Sequence, residues 1–394
     1  MKIKTVLFAA IAAGLVTGSA KPSVAVASWA RRYNTSCSMC HRPAPPRLSF
    51  FGHQFRKRGY RLPDEVGAKP DLTNLSHYLS LRNRFRYNYS KPKGGNTTSQ
   101  FELNDTTIFY SGPITGTLSA FVELERPSEP ELEVQAFGEW TKGDVPRYWA
   151  LRWGQMHTLS RVGWAGFDRP TGISTPWLLG RRLTTANTAF TIGQDQRGME
   201  YQHSTNERGR VIAQILNGLN PGTPAEIEGR DDTQKDLLGA WEQALNDVGS
   251  GFTLLGYRGS WETAPGGPRD TFTRFALTGD YFRYLFRPDH LTELQGGIGF
   301  AHDDVHGIGA ANGRVWYIDL EQYLPHDAAV FARWDQLDPN RSIGGDTEHR
   351  ITLGGVYDVS DSLRLALELA SQKTFSAGIR TRTNSAVIEA MINF

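Results

Sequence analysis

Residues 79–89 read Leu79-Ser80-Leu81-Arg82-Asn83-Arg84-Phe85-Arg86-Tyr87-Asn88-Tyr89, an alternation of apolar and polar residues. Successive side chains of a β-strand point to opposite faces, so this stretch predicts a strand with one apolar and one strongly charged face. Segments of about ten such residues, separated by turn residues, are typical of a barrel that crosses an outer membrane. A soluble β-sandwich is the alternative, but its strands are typically about 5–6 residues long and its polar faces carry less charge.

The same alternation recurs along the chain. It is found at residues 114–125, where Phe121 is the exception, and at residues 363–369. At the C-terminus, apolar residues occupy every second position from Ala386 to Phe394, the last residue. An unpaired edge strand at the C-terminus would be prone to pair with other chains. Pairing of this strand with the first strand of the barrel leaves no such edge.

Turn lengths give the strand count, because short turns of such barrels lie on the periplasmic side and longer loops outside. Short links are predicted at residues 111–113, 287–289, 325–327 and 359–362, and longer loops at residues 161–185, 303–312, 338–347 and 373–383. The two sets alternate correctly if residues 189–203 form one strand. The sequence therefore predicts an all-β fold, a transmembrane antiparallel barrel of about 16 strands.

A barrel of this size has an interior that holds water or a plug. We predict that the following residues point inward: Arg82, Arg84, Glu123, Glu125, Glu133, Glu139, Asp319, Glu321, Arg333, Asp335, Arg364 and Glu368. They line either a hydrated porin lumen or a lumen that receives the N-terminal segment as a plug. The second interpretation is favoured because that segment is joined to the first strand without a long linker.

Composition excludes several classes of protein. The chain has 394 residues with 11% aromatic content, too aromatic for a disordered protein. A net charge of +2 argues against a nucleic-acid partner. Two cysteines are too few for a disulfide scaffold. The longest apolar run, residues 6–16, is shorter than the ~20 residues that a membrane-spanning helix needs.

That apolar run predicts a signal for export instead. Lys2 and Lys4 precede it, and small residues follow it. Cleavage could follow Ala20 or Ala27, and the Ala25-x-Ala27 match favours the second site. The predicted organisation is a signal peptide at residues 1–27, an N-terminal segment at 28–74 that contains both cysteines, and an outer-membrane barrel at 75–394.

The pentapeptide Cys37-Ser38-Met39-Cys40-His41 contains both cysteines, and on its pattern we predict that residues 28–74 are a haem c segment. C-x-x-C-H is the attachment signature of c-type haem. Two thiols three positions apart can reach the two vinyl groups of one porphyrin, and the following histidine ligates the iron. We therefore predict one covalently attached haem c, with Cys37 and Cys40 as attachment residues and His41 as proximal ligand.

Three other interpretations of the motif fit the sequence less well. A zinc site would need further cysteine or histidine ligands, and there is no third cysteine. A thioredoxin-type pair belongs in a βαβ unit, whereas Arg42-Pro43-Ala44-Pro45-Pro46 follows here. A plain disulfide leaves His41 unexplained.

The sixth iron ligand is less determined. Leu48, Phe51 and Phe55 recur at helical spacing and Gly59 ends the predicted helix, which carries His53. His53 either ligates the iron or points to solvent. Arginines in this segment would pair with haem propionates or with acidic residues of the barrel.

No other cofactor motif stands out. The glycines Gly296-Gly297-x-Gly299 fall inside a strand pattern and are better explained by close packing than by phosphate binding.

The haem segment resembles the outer-membrane cytochrome–porin fusions, the monohaem family best known from iron-oxidising bacteria. The resemblance covers about thirty residues, and His53 falls at a position its pattern leaves free. It is carried by Ala30-Arg31-Arg32-Tyr33-Asn34-Thr35-Ser36-Cys37-Ser38-Met39-Cys40-His41 and by Pro46-x-Leu48-x-x-x-Gly52-x-x-Phe55-x-x-x-Gly59-Tyr60.

The resemblance implies an electron-transfer protein. The enzymatic activity that it implies is the oxidation of Fe(II). Its expected partners are extracellular Fe(II), a periplasmic cytochrome or other soluble electron carrier, and the lipid of the outer membrane. One haem cannot bridge an apolar band ~25 Å tall, so a partner must complete the path. The alternatives are a transport porin with a structural haem plug, and an outward conduit that reduces an extracellular acceptor.

Overall fold

The computed structural model describes residues 28–41, 47–127, 133–144, 147–157, 171–186, 190–218, 234–262, 266–287, 290–376 and 378–394. The predicted signal peptide, residues 1–27, lies outside this part of the chain. No helix among the described residues is long and apolar enough to cross a membrane.

Within the described ranges, sixteen antiparallel strands pair in sequence order and close into a barrel. This confirms the predicted fold class and strand number. The strands are β1 (Leu79–Pro92), β2 (Thr98–Pro113), β3 (Leu118–Pro127), β4 (Glu133–Lys142), β5 (Trp149–His157), β6 (Asp195–Ser204), β7 (Gly209–Leu216), β8 (Asp236–Ala244), β9 (Gly251–Glu262), β10 (Arg269–Arg287), β11 (His290–Val305), β12 (Gly309–Leu324), β13 (Ala328–Asp338), β14 (Glu348–Ser360), β15 (Leu363–Ser376) and β16 (Ile379–Asn393).

The last strand closes onto the first, as the alternation to the C-terminus predicts. Arg82 of β1 is opposite Asn393 of β16. The backbone N–H of Leu81 donates to the carbonyl of Phe394 at 2.6 Å, and the N–H of Phe394 donates back at 2.8 Å. The C-terminal edge is therefore paired.

The barrel wall is apolar outside and charged inside. Phe101, Ile215 and Leu353 are 86%, 56% and 51% exposed on the outer face, whereas Arg333 and Asp335 on the inner face are buried. A closed barrel leaves no unpaired edge, so its apolar outer band can sit in lipid. The protein is an outer-membrane β-barrel.

Two predicted loops are wrong, because residues assigned to them continue the strands. β11 extends to Val305 and β12 begins at Gly309, so only residues 306–308 turn, with Gly307 at φ +78°. Likewise β15 and β16 leave residues 377–378 between them. These hairpins continue with polar residues, which the alternation of apolar residues does not detect.

The predicted positions of these two short turns differ from the observed ones by four residues at most. Residues 325–327 form the turn after β12, with His326 and Asp327 both at positive φ. The predicted link at residues 111–113 is wrong, since β2 includes Pro113 and the turn is residues 114–117. We call the end of the barrel that holds these turns and the C-terminus the periplasmic end, following the rule for turn length.

Three helices of four residues or more lie among the described residues, and none of them is part of the barrel wall. α1 (Ser28–Tyr33) and α2 (Phe50–Lys57) belong to the N-terminal segment, by which we mean residues 28–41 and 47–78. α3 (Trp177–Gly180) lies between β5 and β6, in residues 171–186 and 190–193, which we call the inner loop.

Candidate functional site

The Cys37-Ser38-Met39-Cys40-His41 motif forms one tight helical turn, which we call the attachment turn after the haem attachment predicted for it. Cys37–Met39 is a 3₁₀ turn, and the N–H groups of Cys40 and His41 both donate to the carbonyl of Cys37, at 3.2 and 2.9 Å. Two thiols three positions apart therefore come from the same turn, with the imidazole next along the chain. This arrangement of donors fits covalent attachment of one haem.

Helix α2 braces this turn. The Ser49 N–H donates to the carbonyl of Cys40 at 2.9 Å, and its hydroxyl donates to the carbonyl of Met39 at 2.9 Å. The same hydroxyl caps α2 by accepting from the Gly52 N–H. A Cβ at Gly52 would lie 2.0 Å from the Cys40 carbonyl oxygen, so glycine allows the helix to touch the attachment turn.

Both thiols are partly buried. Burial raises the pKa of Cys37 to about 12 and that of Cys40 to about 11. The two sulfurs are therefore protonated and uncharged at neutral pH before any attachment. Among the described residues, no group of three or more His, Cys, Asp and Glu side chains is arranged to hold a metal ion.

The N-terminal segment contacts the periplasmic end of the barrel. The Cys37 thiol donates to the carbonyl of Asp361, in the turn between β14 and β15, at 3.7 Å. Arg61 is buried and donates to the carbonyls of Thr115 and Leu118 at 2.7 and 2.9 Å. The attachment turn thus lies near one mouth of the barrel.

Arg47 reaches the inner wall. It is buried, pairs with Asp280 at 2.9 Å and contacts Glu293. Its guanidinium also lies 6.0 Å from the centre of the Phe282 ring. A buried arginine with two carboxylates is the pairing that the basic N-terminal segment predicts, although the sequence does not identify the partners.

His53 lies on the side of α2 that faces the wall. Phe50 on the same side packs against Ala244, and Lys57 lies near Arg210 and Glu242. His53 is 3% exposed, so the alternative that it points to solvent is wrong. Burial, together with Lys57 and other nearby cations, lowers its pKa well below the usual value.

The opposite side of α2 holds Gly52 and Phe55. Phe55 is edge-on to Trp29 of α1 at 5.2 Å between ring centres. α2 therefore turns Gly52 towards the attachment turn and His53 towards the wall. Iron ligation by His53 stays a prediction.

An aromatic stack joins the N-terminal segment to the wall. Trp29 stacks on Tyr60 at 5.0 Å, Tyr60 on Phe121 at 6.1 Å, and Phe121 on Phe137 at 5.3 Å. Phe121 is the exception in the alternation of its strand. That exception was the sequence signal for this contact.

Three methionines, whose thioethers are possible ligands of haem iron, lie in three different places. Met199 is 51% exposed on the outer face of β6. Met156 is buried near the end of β5 opposite to the periplasmic end. Met39, inside the attachment turn, is 38% exposed.

The inner loop is the feature that the sequence did not reveal beyond a long connection. Its apolar side chains form a core with inward residues of β7 to β13, including Leu178, Phe190, Tyr257 and Tyr317. Leu178 lies over Gly297 and Gly299, where an added Cβ would be 2.9 and 2.4 Å from its methyl groups. The prediction that these glycines serve packing is confirmed.

Wall carboxylates hold the backbone and polar groups of this loop. Asp335 accepts from the Trp177 N–H at 2.8 Å, and Glu368 accepts from the N–H groups of Ile173 and Ser174 at 3.0 and 2.9 Å. These carboxylates were predicted to point inward, but not to bind a loop.

The other residues that were predicted to point inward are mostly buried as well. Arg84 and Glu125 are part-buried, the side chain of Glu133 lies outside the described part, and the remaining residues predicted to point inward are buried. Arg82 pairs with Glu125 at 2.9 Å, and Glu139 pairs with Arg152, a buried residue of β5 that was not among those predicted to point inward.

No protein-family model and no curated protein sequence matches the chain. Solved structures similar to it are outer-membrane barrels. The anion-selective porin from Comamonas acidovorans is 14% identical with a TM-score of 0.60, over 80% of this chain and 98% of that one.

Two further barrels have TM-scores of 0.55 and 0.56. The outer membrane channel DcaP of Acinetobacter baumannii is 10% identical, and OmpF of Salmonella typhi, in complex with daunomycin, is 11% identical. Each covers 80% of this chain and 97% of its own length. At such low identity the likeness shows a porin-like barrel fold only, over about four fifths of this chain.

Proposed function

We propose that this protein is an outer-membrane electron conduit that takes electrons from extracellular Fe(II) and passes them to a soluble periplasmic carrier. The observation that carries the proposal is the helical Cys37–His41 turn, held at the periplasmic end of a transmembrane barrel by the Cys37–Asp361 contact. Cys37 and Cys40 would hold the haem through thioethers, and His41 would ligate its iron. When bound, haem c supplies a one-electron Fe(III)/Fe(II) couple.

The position of the turn supports electron delivery to the periplasm. Ser38 and Met39 are exposed, next to the two cysteines. A soluble carrier can therefore approach the attachment turn from the periplasmic mouth. Oxidised iron is insoluble near neutral pH, so moving the electron rather than the metal keeps the product outside.

The barrel interior also supports electron rather than solute transfer. The inner loop packs an apolar core against β7–β13, and Arg47 holds the N-terminal segment against β10 and β11. Two segments therefore occupy space that an open porin leaves to water. The rival function, solute transport with a structural haem plug, requires an ion-conducting lumen.

The first experiment follows the absorbance of purified, oxidised, haem-loaded protein in detergent after rapid mixing with Fe(II). We expect the reduced c-type spectrum to appear promptly, and then to decay when an oxidised periplasmic cytochrome c is added. The His41→Ala variant should keep covalent haem but change its spectrum, whereas Cys37→Ala with Cys40→Ala should lose covalent attachment.

Other outcomes would favour the rivals. A haem spectrum that Fe(II) leaves unchanged would overturn iron as donor. Rapid reduction by the periplasmic cytochrome, followed by oxidation by an extracellular acceptor, would favour the outward conduit. High ion conductance in planar bilayers would favour the transport porin.

A further inference from the structure

A group of basic residues lies on the outer face of the barrel, at the extracellular end, opposite the periplasmic end. Their strands β14, β15, β16 and β1 are hydrogen-bonded in that order. Side chains of a strand alternate between its two faces, and these residues share the face of exposed apolar residues such as Leu353, Leu369 and Ile388. We call the following five residues the basic rim: Lys91, His349, Lys373, Arg380 and Arg382.

Strand pairing brings members of the basic rim side by side. Lys373 of β15 is directly opposite Arg382 of β16 and, on its other side, His349 of β14. Lys91 of β1 is opposite Asn384, the next outward residue of β16 after Arg382. Directly opposite side chains have Cβ atoms about 4.5–5.5 Å apart, and like charges at that spacing repel each other. The pair of Lys373 and Arg382 is therefore unfavourable unless an anion lies between the two charges.

No carboxylate of the described residues neutralises this charge. None of the five forms an ion pair with an Asp or Glu side chain in the described part of the chain. The outward positions of the four strands, from end to end, carry no Asp or Glu. Arg380 donates to a neutral group, the carbonyl of Gly345, at 3.2 Å. By contrast, Arg269 at the same end of β10 pairs with Glu262 at 2.5 Å.

The basic rim begins where the apolar band of the outer face ends. Along β15 the outward positions are leucines from Leu363 to Leu369, followed by Ser371 and then Lys373. Leu363 and Lys373 are ten residues apart. At ~3.4 Å per residue and a strand tilt of ~40°, this spacing corresponds to ~26 Å across the membrane, against an apolar band ~25 Å tall. Lys373 therefore lies at the depth where the headgroups of the outer leaflet begin.

Aromatic side chains mark the same border. The His349 ring stacks on Trp334 of β13 at 5.5 Å between ring centres, and Trp334 stacks on Trp316 of β12 at 6.5 Å. On the outward face of β1, Tyr89 immediately precedes Lys91. Tryptophan and tyrosine are enriched at the interface between the apolar core of a membrane and its headgroups. The basic rim thus adjoins the headgroup layer on several strands.

We propose that the basic rim binds the phosphate groups of an anionic lipid in the outer leaflet of the outer membrane. A phosphate between Lys373 and Arg382 accepts hydrogen bonds from both and removes their repulsion. The acyl chains of the same molecule pack on the leucines of β15 below it. This position beside the apolar band favours a phosphorylated lipid over a free phosphate ion. The site depends neither on haem nor on the oxidation of Fe(II).

Lipid binding by the full-length, haem-loaded protein tests the site. The protein is stripped of bound lipid in a nonionic detergent and titrated with diphosphorylated lipid A, and the bound lipid is counted by native mass spectrometry. Each basic residue near an anionic lipid surface contributes about a factor of five to binding. We therefore expect Lys373→Gln with Arg382→Gln to raise the dissociation constant of the first lipid A about 25-fold.

Arg258→Gln is the matched control. Arg258 is exposed on the outer face of β9, and the residues opposite it, Leu237 and Thr273, are uncharged. Its replacement should leave the dissociation constant unchanged. The exchange of Lys373→Arg with Arg382→Lys keeps both charges and should retain binding. Heat-dependent migration in gel electrophoresis checks that each variant keeps its folded barrel.

Several outcomes would overturn the proposal. The first is an equal dissociation constant in the double glutamine variant and in Arg258→Gln. The second is equally tight binding of lipid A from which both phosphates have been removed. The third is displacement of lipid A by an equal concentration of inorganic phosphate, which would make the basic rim a site for a free anion.

Discussion

Two segments of this chain lie against the inner wall and are held by opposite chemistry. The N-terminal segment brings its own arginines, such as Arg47 and Arg61, to carboxylates and carbonyls of the barrel. The inner loop brings apolar side chains, while carboxylates of the wall, such as Asp335 and Glu368, bind its backbone N–H groups. The arginines that anchor the N-terminal segment can therefore be recognised in its own sequence. The carboxylates that anchor the inner loop lie over a hundred residues away in the chain.

The largest expected effect is on the anchor of the N-terminal segment. Arg47→Gln leaves Asp280 and Glu293 buried beside a neutral side chain, which should cost about 3–5 kcal/mol of docking free energy. Protease cleavage within residues 47–61, followed by mass spectrometry across a urea series, measures the release. Arg58→Gln is the control, since its pair with Asp144 is partly exposed and should contribute under about 1 kcal/mol. Equal release in both variants would contradict the assignment of Arg47 as anchor.

The matching change in the inner loop removes apolar contact instead of charge. Leu178→Ala empties the space over Gly297 and Gly299 and should destabilise loop packing by about 3 kcal/mol. We expect a lower urea midpoint for the loop and higher ion conductance in planar bilayers. Unchanged conductance, with the midpoint lowered, would show that other parts of the chain limit ion flow.

A smaller effect is expected where α2 touches the attachment turn. Gly52→Ala places a Cβ against the Cys40 carbonyl and should cost about 1–3 kcal/mol through displacement of the helix. Haem incorporation during maturation should fall, as measured by the ratio of covalent haem to protein. Gly344→Ala is the control, because that position has nothing within 4 Å and, like Gly52, no positive φ.

The smallest effect is a dependence on pH. Burial and the nearby Arg210 lower the pKa of Lys57 from 10.5 to about 7, and Glu242 partly opposes them. Above pH 7 the released segment therefore binds more protons at this residue than the docked one, so docking should strengthen as pH rises. The gain from pH 7 to 8 should be about 1 kcal/mol and should disappear in Lys57→Met. Docking that weakens over this range in the wild-type protein would contradict the burial of Lys57.

Much of the barrel could be predicted from the sequence, because a strand with one face in lipid and one face in the interior alternates apolar and polar residues. Closure through Phe394, the inward carboxylates and the turn at residues 325–327 all follow from that pattern. The loops predicted at residues 303–312 and 373–383 were wrong, since hairpins that extend beyond the membrane no longer need an apolar face.

For the candidate site, the chemistry of the residues could be predicted from the sequence, but their position in the fold could not. The spacing of Cys37, Cys40 and His41 indicates haem attachment, and the helix with its end at Gly59 is confirmed by α2. The side of α2 that carries His53 depends on which face meets the wall. That face is set by contacts with β7 and β8, which no local pattern contains.

The sequence by itself determined that the chain forms an outer-membrane barrel, and it identified the residues suited to haem. Both follow from local spacing: period two in strands, and three positions between thiols. Only the tertiary structure decided that the attachment turn meets the periplasmic end and that an apolar loop packs within the barrel. These depend on pairings between residues far apart in the chain, where side chains such as Arg47 and Glu293 find each other only once the strands have closed.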